Sequence, residues 1–176
     1  VTDLQKLKAM AYGPAGEPAP GTKELLLRAQ AAQAEKQSLL AETQTLRDLF
    51  MGAPSFMAVL AAPDLRFTLA NTAYQRLIGH RQITGRTIEE GLPAVRDQGF
   101  VALLQSVMAT REPYVGQAVA VRLRRTPDGP LEERFVDFIY QPILDREGTA
   151  SGVFVDGSDV TDRVLAERQQ KLLVDE

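Results

Sequence analysis

Apolar positions recur along this chain with two different periods, and the switches between them mark its elements. Between residues 23 and 50, Leu25, Ala32, Leu39 and Leu46 recur every seven residues, and Leu26, Ala29, Leu40 and Leu49 widen the stripe. This predicts a long helix with a short heptad-like seam, rich in Ala, Leu, Gln, Glu and Lys, with Thr22 as its cap. Such a seam fits a dimerising helix, and it equally fits an amphipathic helix packed on its own domain. Ahead of it, Leu4, Leu7 and Ala11 allow a short helix, and residues 13–21 hold three Pro and three Gly, which read as a hinge or linker.

Beyond Gly52 and Pro54 the period shortens to two. Phe56–Ala61 and Arg66–Ala70 read as a hairpin turned at Pro63-Asp64, with Phe67 and Leu69 expected on one face. Asn71 caps a short helix over Thr72–Ile78, and Gly79 is its C-terminal glycine. A helical turn at residues 87–91 stops before Pro93. Residues 98–110 form an amphipathic helix whose buried stripe is Phe100, Leu103, Leu104, Val107 and Met108. Three strands follow, over residues 114–125, 131–144 and 149–158, joined by turns of hairpin length and therefore antiparallel. Alternation puts Val115, Val119, Val121 and Leu123 on one face of the first. In the second, Val136, Phe138 and Tyr140 face inward and Phe135 and Ile139 outward. The last strand passes through Asp156-Gly157-Ser158-Asp159 into a helix starting near Thr161, where Asp159 and Thr161 are capping residue types. The fold class is α+β: a five-stranded antiparallel sheet with short helices on one face, flanked by long N-terminal and C-terminal helices.

Composition narrows the function. At 176 residues the chain holds one domain and extra helix, and a net charge of −3 gives no basic footprint for nucleic acid. No apolar run approaches the ~20 residues that span a bilayer, and the first residues lack the charged-then-apolar layout expected of a signal peptide. Zero Cys excludes disulfides, thiolate metal sites and a Cys nucleophile, and fits a cytoplasmic address; a single His excludes a His-rich metal site. No GxxxxGK[ST] loop is present, Ser106 and Ser158 lack a nearby base, and no carboxylate or His pair offers acid–base catalysis. Asp156, Asp159 and Asp162 are spaced like ligands, but they span a strand end and a helix start, which favours capping over Ca²⁺. These features point to a module without catalysis.

The order of elements resembles the PAS fold over roughly residues 49–163. The resemblance is carried by the hairpin, by Asn71-Thr72-Ala73-Tyr74-Gln75-Arg76-Leu77-Ile78-Gly79, by Gly85-Arg86, by Tyr140-Gln141-Pro142-Ile143 and by Gly152-Val153-Phe154 running to the Asp-hydrophobe-Thr triplet Asp159-Val160-Thr161. Residues 167–176 are similar to the lead-in to the phosphoacceptor helix of bacterial HWE-type sensor histidine kinases. The resemblance implies residues 1–22 as helix and linker, 23–50 as a signal helix, 51–160 as the PAS domain and 161–176 as the output helix. It implies a cytoplasmic sensory module of a two-component system, working as a homodimer with a kinase domain and a response regulator as partners in the parent protein. The alternative is a PAS module that docks partners with nothing bound.

Signal would pass through Asp159 and Thr161. Pockets in this family form between sheet and helices, where Phe67, Leu69, Tyr74, Leu77, Phe100, Leu104, Val107, Val119, Val121, Phe138, Tyr140 and Val153 should point; the same residues would also make a solid core. The dimer interface would use Leu25, Ala32, Leu39 and Leu46 with Phe135 and Ile139 of the outward sheet face, covered by the helix of residues 23–50 from the same or a second subunit. No cofactor is assigned. Ile88 stands where light-sensing relatives carry the adduct-forming Cys, so a covalent flavin adduct is ruled out. His80 sits in the loop after the first short helix, away from the helix that carries the haem ligand in haem-binding relatives.

Overall fold

The structure, a computed structural model, describes Gln5 and residues 21–174. Apart from Gln5 and Gly21, the expected helix over residues 1–12 and the linker after it lie outside the described residues. The chain divides into two compact units, residues 1–48 and residues 49–176.

The first unit is dominated by helix α1, Thr22–Gly52. Its first turn closes from the Leu25 N–H to the Gly21 carbonyl at 3.1 Å. Arg28 pairs with Glu24 at 2.9 Å and Gln44 with Asp48 at 2.8 Å, each one turn apart. None of its residues is buried, and Leu25, Leu39 and Leu46 are each more than half exposed. Ala32 completes the same seven-residue stripe.

The second unit is built on five antiparallel strands: β1 (Phe56–Ala61), β2 (Arg66–Ala70), β3 (Tyr114–Leu123), β4 (Glu132–Leu144) and β5 (Ala150–Asp159), in spatial order β2-β1-β5-β4-β3. The fold is the α+β arrangement expected. Between β2 and β3 run helices α2 (Thr72–Ile78), α3 (Ile88–Gly91) and α4 (Phe100–Thr110), with a 3₁₀ turn at Pro93–Val95. They cover the inner sheet face, where Ala58, Leu60, Phe67, Val136, Phe138, Tyr140, Val153 and Val155 join Tyr74, Ile78, Ile83, Leu104 and Val107 in one buried cluster.

Local chemistry sets these helices. The Asn71 side chain caps α2, and Gly79 closes it at φ 81°. A Cβ there would also lie 2.5 Å from the Arg125 carbonyl oxygen, so only glycine fits. Thr87 and Glu90 form a reciprocal capping box on α3.

Two bulges break the alternation. In β2, Phe67 pairs with Leu60 and Leu69 with Val59, leaving Thr68 extra. Phe67 is therefore buried, while Leu69 is 41% exposed and belongs to the outer surface, not to the core face where period-two counting puts it. In β3 the register shifts between Gly116 and Val119. The Ala118 N–H turns away to the Asp137 carboxylate at 2.7 Å, with Ala118 at φ 47°. Val115 is thereby thrown to the outer face, opposite Val119, Val121 and Leu123. Gly116 faces inward against Phe138, whose ring would lie 2.6 Å from a Cβ at that position. We expect Leu69→Gln to change unfolding free energy by less than about 0.5 kcal/mol in urea titration; a core-sized loss would mean that no bulge exists.

Candidate functional site: an inner cavity and the sheet–helix junction

Two features stand out in the second unit. One is a cavity of about 70 Å³ between the inner sheet face and α2–α4. It is lined by Phe56, Tyr74, Leu77, Ile78, Ile88, Leu92, Val95, Phe100, Val121, Leu123, Val136, Phe138, Tyr140 and Val155. Aromatic contacts frame it. Phe138 packs on Tyr140 at 4.7 Å between ring centroids and on Phe100 at 6.0 Å, and Tyr74 packs against Phe67 at 5.7 Å.

Among the described residues, the only lining side chains with a polar group are Tyr74 and Tyr140. Burial pushes both pKa values up, with the neighbouring Tyr74 and Tyr114 adding to the effect at Tyr140. Both hydroxyls therefore stay protonated and uncharged.

Of the residues expected around a cavity, the structure brings Tyr74, Leu77, Phe100, Val121, Phe138 and Tyr140 together on it. Phe67, Leu104, Val107 and Val153 are fully buried but fill solid core, and Val119 is half-buried at its edge. Leu69 is excluded by the β2 bulge. Ile88, Leu92 and Val95 escaped sequence reasoning because their short turns show no period. Phe56, Ile78, Leu123, Val136 and Val155 belonged to recognised elements, and only register places them at the cavity.

The second feature is the junction from β5 into helix α5, Thr161–Val174, with Val160 alone between them. The Val160 N–H donates to the Phe135 carbonyl at 2.8 Å, extending the β4–β5 ladder past the end of the strand. The Phe135 N–H donates to the Thr161 hydroxyl at 2.9 Å. That hydroxyl in turn donates to Asp159 Oδ1, which also accepts the Thr161 N–H at 3.0 Å. Asp159 Oδ2 receives the Arg134 guanidinium at 2.8 Å. Thr161 is buried and is the first helical residue. Its hydroxyl is thus a tie back to β4, not a cap on its own helix, as its residue type had suggested; only Asp159 caps.

Burial would raise the Asp159 carboxyl. The hydrogen bonds from the Thr161 hydroxyl and N–H and the Arg134 guanidinium outweigh it, and hold the group below its ordinary value.

Phe135 lies on the outer face, where alternation puts it, and is buried there, with the Arg168 guanidinium of α5 4.7 Å above its ring. Its cover within this unit is α5, because the Thr161 tie folds that helix back on β4. Arg163 adds a 2.9 Å pair to Asp137, the residue that holds the β3 bulge. Ile139 stays half-buried on the outer face, beside Asp156, whose Oδ1 is buried without a partner among the described residues. Asp162 is exposed in the first turn of α5, so the three aspartates do not converge. His80 is exposed.

A family model described as the PAS fold matches residues 50–165, about two thirds of the chain. The chain belongs to the PAS family. The PAS domain from Bordetella pertussis BvgS is 28% identical, with a TM-score of 0.54 over 77% of this chain and 98% of that one. VqmA bound to DPO is 26% identical at a TM-score of 0.51, over 66% of this chain and 57% of that one. An RNA-binding Light-Oxygen-Voltage receptor shares the PAS fold at 21% identity and a TM-score of 0.57, over 76% of this chain. The chain spans 36% of that receptor's length. No helix among the described residues is long and apolar enough to cross a membrane.

Proposed function

We propose that this PAS domain is the sensory input module of a cytoplasmic, bacterial two-component histidine kinase of the HWE type. It performs no catalysis itself. It works as a homodimer, and passes a change in the sheet to a kinase domain through α5, and from there to a response regulator. The observation that carries this reading is the tie at the junction, where one buried hydroxyl joins β4, the end of β5 and the first turn of α5. A shift of β4 against β5 cannot leave α5 where it was without breaking those bonds. The similarity of residues 167–176 to a phosphoacceptor lead-in supports the kinase assignment; the last two of them lie outside the described residues.

Dimerisation uses the α1 stripe of Leu25, Ala32, Leu39 and Leu46, whose exposed apolar side chains gain from a matching copy. The outer sheet face around Ile139 is its second element. We expect analytical ultracentrifugation to show a dimer, and the double variant Leu39→Asp/Leu46→Asp to sediment as a monomer with the PAS domain's thermal midpoint unchanged. A wild-type chain that stays monomeric at high micromolar concentration would remove the dimer from this reading.

A further inference from the structure

We propose that the outer sheet face pairs with the same face of a second copy, and that this pairing takes up protons at Asp156, so that the homodimer tightens as pH falls. The proposal rests on the homodimer proposed above and adds its regulation. Strand register lays this face out in rows. One runs Leu69–Val59–Phe154 across β2, β1 and β5, and the next runs Met57–Asp156–Ile139–Val115 across β1, β5, β4 and β3. Asp156 is the one charge in these rows, and it stands on the central strand between Met57 and Ile139. Its Oδ1 is the one buried side-chain oxygen or nitrogen without a hydrogen-bond partner among the described residues. Apolar rows of this kind on a sheet face mark an association surface. A second copy is the occupant that continuity favours. Three residues, 53–55, separate the end of α1 from the start of β1, so pairing of the α1 stripes holds two sheets at high effective concentration. A two-fold pair sets the same rows against each other, apolar to apolar.

The surroundings leave the Asp156 charge without compensation. β1 carries no titratable side chain, and β3 presents Val115 to this row, with its Arg122 lying across from Glu133 beyond Phe135. On β4, Asp137 is taken by Arg163 of α5 at 2.9 Å, and on β5, Asp159 is taken by Arg134 at 2.8 Å. α5 also brings Glu167, which faces Arg163 at 4.0 Å, and Arg168, which lies over the Phe135 ring. Among the described residues none of these cations forms an ion pair with Asp156. Covering such a carboxylate with apolar surface strips its remaining water and supplies nothing in return, which favours the neutral acid. In a two-fold dimer two protons are taken up, one for each copy. The sign follows from this linkage. At high pH the dimer must carry buried charge and is at its weakest. Association strengthens as pH falls through the range where the covered groups titrate, and levels off near the ordinary carboxylate value of about 4.

The test is sedimentation equilibrium of the whole chain at about pH 7.5 and about pH 5.5, both above the acid range in which the Asp159 junction loosens. We expect the dimerisation constant to tighten at least about tenfold between the two. Asp156→Asn, which mimics the neutral acid, should dimerise at both values as tightly as the wild type does at the lower one. His80→Asn removes the chain's one imidazole and should keep the wild-type dependence. The ¹³C-methyl signals of Met57 and Ile139 should shift along with association, because their row is the contact. A dimer with the same constant at both values overturns this proposal and leaves the homodimer standing; a chain that stays monomeric at both overturns the two together. A dimer that loosens as pH falls would mean that Asp156 meets a cation of the other copy, and overturns the proposal by its sign. So does an Asp156→Asn variant that retains the wild-type dependence, or a dimer in which the Met57 and Ile139 signals do not move.

Discussion

Asn71→Ala should cost the PAS domain about 3–5 kcal/mol, because it strips three partners from the interior at once. Asn71 is fully buried. Its side-chain oxygen accepts from the Met57 N–H and the Tyr74 N–H, each at 2.9 Å, and its amide donates to the Ser55 carbonyl at 2.8 Å. The side chain thus joins the start of β1 to the first turn of α2, and sets where Tyr74 enters the cavity. Alanine leaves two N–H groups and one carbonyl unpaired, each worth about 1–3 kcal/mol when buried, with less than full additivity. For a domain of this size that lowers the thermal midpoint by about 10 °C or more. Asn71→Asp separates the contributions. Its first oxygen keeps both N–H bonds, but the second then faces the Ser55 carbonyl, acceptor against acceptor, in a buried site. The folded state therefore raises this carboxyl's pKa. Its stability should be highest below the ordinary carboxylate range of about 4 and fall as pH rises through the raised value. An alanine variant within about 1 kcal/mol of wild type in urea titration would show that these bonds exchange freely with water.

Much of this architecture is legible in the sequence because its signals are local. Phe56–Ala61, Arg66–Ala70 and Thr72–Ile78 begin and end where alternation, Asn71 and Gly79 place them. What escapes is set across strands. Leu69 and Val115 follow perfect alternation on paper, but the Thr68 and Gln117–Ala118 bulges turn each to the opposite face. The second bulge is held by Asp137, nineteen residues away, and no local period reports such a bond. The cover that α5 gives Phe135 escapes for a related reason: it depends on where α5 goes, which depends on a hydroxyl contact between Thr161 and β4. Tyr74 and Tyr140 could be singled out by residue type alone, an apolar body with a polar tip. That both line one cavity is a property of the assembled core.

Thr161→Val tests the junction, and here loss of relay should exceed loss of stability. Valine keeps the shape and removes the hydroxyl. The buried Phe135 N–H then has no acceptor and Asp159 Oδ1 loses a donor, a change of about 1–3 kcal/mol. Hydrogen exchange should quicken at Phe135 and Val164 while Leu60 on β1 and Val153, toward the other end of β5, stay protected. In the full parent protein, stimulus-dependent autophosphorylation should disappear although the PAS domain remains folded. Thr161→Ser is the control, since it retains the hydroxyl and should retain the response; if Val and Ser behave alike, the methyl group holds the junction and the proposed relay through this hydroxyl is wrong. Asp159→Asn should be milder, because its oxygen still accepts from Thr161 and only the pair with Arg134 is lost, a partly exposed contact worth about 1 kcal/mol or less. The pH dependence follows from the lowered Asp159 pKa. A carboxyl held below its unfolded value contributes stability that is complete above about 4 and is lost as pH falls through the lower, folded value. Exchange at Phe135 should therefore be unaffected by this group between neutral pH and mild acid, and should rise in the wild type only below that range. In Asp159→Asn that acid-dependent rise should be absent, which ties it to this carboxyl and not to general acid unfolding.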